Sequence, residues 1–268
     1  MSHPSAAAAR RHDRYGPWAV VTGASSGIGR EVARRLAADG LHLVLVARRA
    51  DVLAELAGEL AARHGVEARV ISADLAADGA AERVEVATRD LDVGLLVAAA
   101  GFGTSGPFVD SALANEAEML RVNCQAAMEL AHGFGRRFAE RGRGGIVLLS
   151  SIVAFQGAPY AAHYAATKAY VQALAEALRV ELAPRGVDVL ASAPGPTHSG
   201  FAARAHMRMG RALAPADVAR DTLDALGRRS TVVPGALSKV LAWTLAPLPR
   251  VARVGIMGRV MRSMTAPA

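Results

Sequence analysis

A phenol and an ammonium stand four residues apart in "YAATK", Tyr164 to Lys168, within the run "APYAAHYAATKAYVQALAEAL". If that run is helical, residues i and i+4 share a face, and the Tyr164 hydroxyl and the Lys168 amine can point into one cleft. A free phenol ionises near a pH of about 10, too high for easy proton traffic at neutral pH, and a nearby ammonium favours the phenolate and lowers that value. The pair therefore suits giving a proton to an oxygen on which negative charge builds, with a further donor aimed at the same oxygen. Ser151, closing the apolar run "GIVLLSS", can be that donor. Each residue also has a plainer reading: Tyr164 as a half-buried helix residue, Lys168 as a solvated one, Ser151 as a strand-end turn former.

Short apolar, β-branched runs alternate with longer Ala-, Leu- and Arg-rich stretches of helical period. The runs are "AVVTG" at 19–23, "LHLVLVA" at 41–47, "ARVIS" at 68–72, "GLLVAAAG" at 94–101, "GIVLLSS" at 145–151, "VDVLASAPG" at 187–195 and "STVVPG" at 230–235. Near-continuous apolar strands separated by helices predict a parallel sheet covered on both faces. Right-handed crossovers then give a single-domain, doubly wound α/β fold of about seven strands. In such sheets ligands bind beyond the carboxyl ends of the strands. "TGASSGIG", Thr22 to Gly29, lies there, between the first strand and a helix. Gly23, Gly27 and Gly29 supply a tight turn, close approach of backbone to a pyrophosphate and close helix–strand packing, and Ser25, Ser26 and Ile28 fill the turn.

The spacing T-G-x-x-x-G-x-G, followed by Ser151, Tyr164 and Lys168, resembles the short-chain dehydrogenase/reductase family, over about Trp18 to Thr231. The resemblance implies a Rossmann fold that binds NAD(P) and carries out carbonyl–alcohol hydride chemistry. Asn123, in "LRVNCQAAMEL", occupies the matching earlier-helix position, and Ser151 lies thirteen residues before Tyr164 as the pattern requires. The catalytic set implied is Asn123, Ser151, Tyr164 and Lys168. Lys168 is also implied to hold the nicotinamide ribose, and Asn123 to position a water that links the lysine to solvent. Asp74 and Leu75 in "SADL" resemble the pair bordering the adenine. "PGPTHS" resembles the loop beside the nicotinamide, with Pro194, Gly195, Thr197 and Ser199 as its contacts. Ala100 and Gly101 stand where the family usually reads N-N-A-G, preceded here by Ala98 and Ala99. The missing amides weaken a sheet-stabilising, cofactor-lining element and leave the proton chemistry intact.

Cofactor choice turns on the end of the second strand, where an acid would bond the ribose 2′-hydroxyl of NAD. Ala47 stands in that place and Arg48 and Arg49 follow, so NADP(H) is expected over NAD because guanidinium suits a 2′-phosphate. Phe102, Phe155, Gln156 and Tyr160 are expected to border the substrate. No metal is expected: His163 and His198 are isolated, without the spacing of a ligand set. The leading expectation is NADPH-dependent reduction of a ketone on a hydrophobic substrate such as a 3-oxoacyl chain or a steroid. Its rivals are an NAD-linked alcohol dehydrogenase and a silent dinucleotide-binding scaffold, and the intact proton-relay set speaks against the scaffold.

The 268 residues, 52% of them hydrophobic, suit a globular protein, and the single cysteine, Cys124, excludes an internal disulfide. The opening "MSHPSAAAARRHDRYG" has no long apolar leader, so a cytoplasmic protein is expected, with 1–16 as a mobile tail. The domain is read as 17–235, with 196–214, "PTHSGFAARAHMRMGRALA", as a substrate loop. Net charge is +7, and the cations after Asp224, namely Arg228, Arg229, Lys239, Arg250, Arg253, Arg259 and Arg262, equal the whole excess. Residues 1–224 are then neutral, which argues against a nucleic-acid surface. The extension 236–268 is apolar and cationic, with Val254, Met257, Met261 and Met264 on one helix face. That face suits peripheral contact with an anionic membrane, and equally suits packing over the substrate cleft or on a second subunit. The family resemblance implies a homo-oligomer, a dimer or tetramer.

Overall fold

The computed structural model describes residues 6–205, 207, 208, 210 and 212–265. The strands are β1 (Trp18–Thr22), β2 (His42–Ala47), β3 (Ala68–Ser72), β4 (Val93–Ala98), β5 (Gly144–Leu149), β6 (Val187–Ser192) and β7 (Thr231–Val232). They form one parallel sheet in the order β3-β2-β1-β4-β5-β6-β7. The helices are α1 (Ala6–Tyr15), α2 (Gly27–Ala38), α3 (Ala50–His64), α4 (Ala80–Val86), α5 (Leu113–Leu120), α6 (Ala126–Arg141), α7 (Ala162–Leu182), α8 (Phe201–Arg204), α9 (Pro215–Ala225), α10 (Ala236–Leu245) and α11 (Arg250–Met264).

Alternation along each strand splits its apolar residues between two cores. Val21, Leu45 and Leu190 pack under Leu36 of α2, Leu53 of α3 and Leu223 of α9. Val20, Val44 and Ile146 pack on the opposite face under Val84 of α4, Phe134 and Phe138 of α6 and Val171 of α7. After β3 the chain crosses to β4 on the far side of β1, so the crossovers diverge between β1 and β4 and leave a crevice at their carboxyl ends. The described architecture is the Rossmann-type doubly wound sheet expected from the apolar runs.

The N-terminal segment departs from expectation. Residues 1–5 lie outside the described residues, but 6–15 form α1, which is anchored rather than mobile. Buried Arg11 donates from Nε to Asp39 Oδ2 (2.7 Å) and from Nη1 to the Leu223 carbonyl (3.1 Å). One turn later, Tyr15 enters the core and its hydroxyl donates to Asp188 Oδ2 (2.9 Å). Ala-rich sequence favours the helix, and the i,i+4 pair Arg11/Tyr15 gives it a single docking face.

The extension beyond β7 also folds onto the domain. Met257 and Met261 are buried against Val153, Ala158, Ala161 and Ala165 in a third cluster, with Tyr164, Met207 and Met264 packed beside it. The face of α11 offered above to a membrane is therefore turned inward over the cleft. Among the described residues no helix is long and apolar enough to cross a membrane.

Candidate active site

Beyond β1, Gly23 and Gly27 take left-handed backbone, φ +67° and +56°, and turn the chain into α2. Gly29 packs α2 down onto the turn: a Cβ there would lie 3.1 Å from the Thr22 carbonyl oxygen and closer still to Gly23. Ser26, in extended conformation, precedes α2 without capping it through its side chain, so the first amides of the helix face the crevice unpaired. Across the crevice the Ala100 N–H donates to Thr22 Oγ1 at 3.1 Å. That bond ties β1 to the segment after β4 without the amide side chains that the family pattern has there. A Cβ at Gly101 would sit 2.9 Å from Asn123 Oδ1 and 3.3 Å from Lys168 Nζ, so the crevice floor has room only for a bare backbone. A helix N-terminus over glycine-bared backbone fits a dinucleotide pyrophosphate.

Tyr164 and Lys168 lie in the first turns of α7, on one face, as their spacing requires. Ser151 ends the β5 run and caps the short helical turn Ile152–Phe155, its Oγ accepting from the Val153 N–H at 3.4 Å. Asn123 sits in a π turn, Arg121–Gln125, that joins α5 to α6. Its Nδ2 donates to the Phe102 carbonyl (2.8 Å) and to Thr167 Oγ1 (3.0 Å), and its Oδ1 accepts from the Phe102 N–H (3.1 Å). Asn123 thus braces the floor against α7 from behind the cavity wall, with both of its donor hydrogens committed.

The electrostatics differ from the sequence expectation. Burial pushes the Tyr164 phenol up to about 12, and hydrogen bonding with Ser151 opposes this, although Ser151 Oγ also reaches toward the Pro194 carbonyl at 3.5 Å. Lys168 does not depress the phenol: its Nζ donates to the Leu149 carbonyl (2.7 Å) and lies 5.9 Å from the Tyr164 ring centroid. Burial brings the ammonium itself down to about 8.

All these elements open on one cavity of about 1020 Å³. Its wall includes every residue expected at the cofactor: Gly23, Ser25, Ser26, Gly27, Ile28, Arg48, Arg49, Asp74, Leu75, Ala100, Gly101, Tyr164, Lys168, Pro194, Gly195, Thr197 and Ser199. At the end expected to take the adenosine, Arg49 Nη2 donates to Ser25 Oγ (3.2 Å), and Arg48 stays half-exposed, 3.7 Å from Glu118. Of the residues expected at the substrate, Phe102, Phe155 and Gln156 line the cavity. Tyr160 does not. Its left-handed backbone, φ +65°, turns the side chain toward α11, where Arg262 donates to the hydroxyl (2.6 Å). His163 lies 3.2 Å from the Glu116 carbonyl, and no three His, Cys, Asp or Glu side chains converge among the described residues.

The loop 196–214 does border the site, within the described residues. Its ends close through Thr197 and Leu213, and between them Phe201 of α8 packs at a tilt against Tyr164 with ring centroids 5.1 Å apart. Arg204 covers the Phe102 ring at 3.4 Å and donates to Glu118 (2.9 Å). Sequence reasoning placed the loop 196–214 and, as one of its alternatives, the apolar face of α11 at the cleft, but did not single out Phe201, Arg204, Met207 or Trp243 as lining it. For α11 the helical spacing of its apolar residues carried the signal.

Comparison with known proteins follows the same lines. The family model described as short chain dehydrogenase matches residues 17–209. The chain is 34% identical over 231 residues to a 7beta-hydroxysteroid dehydrogenase of Clostridium sardiniense, covering 85% of this chain and 88% of that one. It is 36% identical over 185 residues to a very-long-chain 3-oxoacyl-CoA reductase of Podospora anserina, covering 67% of this chain and 54% of the relative. Among solved structures, one from a study of 7beta-hydroxysteroid dehydrogenase stereoselectivity superposes with a TM-score of 0.85 at 29% identity, covering 92% of this chain and 98% of that one. A short-chain dehydrogenase from Sphingobium yanoikuyae in complex with NADPH superposes with a TM-score of 0.79 at 32% identity, covering 90% and 95%. Motif, sheet order and relatives agree, and the chain belongs to the short-chain dehydrogenase family, as an oxidoreductase acting on CH–OH groups.

Proposed function

We propose that the chain reduces a bulky, apolar ketone to the alcohol with NADPH. The observation that carries this reading is the shape of the cavity at the carboxyl ends of the strands. It runs from the glycine turn and two arginines, past Tyr164 and Lys168, to a wall of Met207, Met257, Met261 and Met264. The relatives' activities on steroids and 3-oxoacyl chains support an apolar carbonyl substrate. Bound NADPH supplies the hydride. Tyr164, proton-bearing at neutral pH, donates to the oxygen on which charge builds, and Ser151 hydrogen-bonds the same oxygen. Lys168 holds the ribose and gives the pocket its positive charge, while Asn123 positions the floor. Thioether side chains adapt to irregular apolar ligands, which fits a bulky substrate.

NADPH preference is assigned to Arg48, with Arg49 beside the glycine turn. Arg48→Ala should raise the Michaelis constant for NADPH by roughly ten- to a hundredfold, the worth of one charge-assisted contact, and leave that for NADH nearly unchanged. Turnover of a panel of bulky ketones, followed by NADPH and NADH absorbance, checks both the activity and the preference. Equal changes for the two cofactors would remove Arg48 from the 2′-phosphate, and no reduction of any ketone would overturn the reading.

We also assign two surfaces. Leu113 and Leu120 of α5 and Tyr170 and Val180 of α7 are exposed, which suits pairing with a second copy. On the extension, Leu237, Val240, Trp243 and Val251 are exposed beside Lys239 and Arg250, which suits an anionic membrane surface. Sedimentation reads both: the protein should run as a dimer or larger and co-sediment with anionic vesicles in a salt-sensitive way. A single-chain mass would refute the first assignment, and no vesicle binding the second.

A further inference from the structure

The side chains that α11 presents to the cavity are Arg253, Ile256, Met257, Val260, Met261 and Met264. Their spacing of three, one, three, one and three makes one continuous stripe of the helix. The stripe is apolar except at its first member. The Arg253 Nε is shut off from solvent and has no hydrogen-bond partner, and no acid pairs with this guanidinium among the described residues.

The other charged side chains on the cavity wall are already engaged. Arg48, Arg49 and Asp74 stand at the adenosine end, Glu118 takes Arg204 at 2.9 Å, and Lys168 donates to Leu149. Arg253 is left as an unmatched cation on the apolar, substrate side. A guanidinium part-stripped of water favours a counter-charge, and the described residues supply none there.

Its position along the helix adds a length. From Val254 to Arg262, α11 runs beside 157–160: Val254 would contact a side chain at Gly157, Gly258 approaches Pro159, and Arg262 reaches Tyr160. The other end of α11 pairs with the substrate loop, where Met207 bridges to Thr265 just past Met264. Arg253 stands about 12 Å along the axis from Met261, at the usual rise per residue.

We propose that Arg253 anchors a carboxylate carried at the far end of the apolar ketone substrate, so that the cavity selects amphipathic keto acids over neutral ketones of the same skeleton. This rests on the ketone-reductase reading above. The guanidinium fork matches a carboxylate bidentately, and the apolar stripe takes the skeleton between the anchor and the reacting carbonyl.

The test measures NADPH oxidation with a 7-oxo steroid bearing a side-chain carboxylate and with its methyl ester. The wild type should have a kcat/KM for the acid about ten- to a hundredfold above that for the ester, as expected for a hydrogen bond to a charged group. Arg253→Gln should erase that advantage, mainly through KM, and change the ester's kinetics far less; Arg253→Lys should restore part of it. Equal efficiency for acid and ester in the wild type would overturn the anchor. So would a loss in Arg253→Gln that falls on both substrates alike. Reduction of neither substrate by the wild type would instead overturn the ketone-reductase reading on which the anchor depends.

Discussion

Tyr164→Phe should lower ketone reduction by roughly 10²- to 10⁴-fold, the worth of a positioned general acid, while cofactor binding stays near the wild-type value. The substitution removes one hydroxyl. The ring keeps its place on α7 and its tilted contact with Phe201. Because burial holds the phenol near 12, the proton is present throughout the neutral range, so the loss should be uniform from acid to mildly basic pH. Single-turnover rates together with fluorescence titration of NADPH separate the chemistry from binding. Near-normal turnover by the folded variant would mean that the proton comes from elsewhere.

Lys168→Ala should cost both steps, with reduction down by roughly 10²-fold or more and NADPH binding weakened by about tenfold. In the proposed reading one buried ammonium serves the ribose and the charge of the pocket, and Lys168 also ties α7 to β5 through the Leu149 carbonyl. The same group sets a pH dependence. Burial lowers its pKa to about 8, so the ammonium is present below that value and is lost as pH rises through it. Wild-type reduction should therefore fall above about pH 8, and the residual rate of Lys168→Ala should lack that limb. A variant that binds NADPH normally, or that keeps the wild-type basic limb, would return Lys168 to a purely structural role.

The sheet was legible because parallel strands buried on both faces are near-continuous apolar runs. Each such run became a strand, although "STVVPG" contributes only Thr231 and Val232 to β7. The glycine turn and the Tyr164/Lys168 face were legible for the same reason: their geometry is local, fixed by a turn and by helix periodicity. What was not legible depends on distant partners. Arg11 meets Asp39 and Leu223, and Tyr15 meets Asp188, so α1 looks like a polar tail until those residues are folded beside it. The apolar face of α11 was visible, but the surface it covers is set by Val153 and the segment through Ala165. Tyr160 fell off the cavity wall because of a single left-handed residue. The mutual pKa effects of Tyr164 and Lys168 were misjudged because sequence shows their spacing and not their burial.

The most direct measurement follows the hydride. With NADPH carrying deuterium at both C4 positions of the nicotinamide and a bulky cyclic ketone, the wild type should deliver the label to the new carbinol carbon on one face of the ring only, while Tyr164→Phe delivers almost none. Alcohol without label, label on both faces, or no NADPH consumption with any ketone of this class would contradict a stereospecific hydride transfer completed by Tyr164.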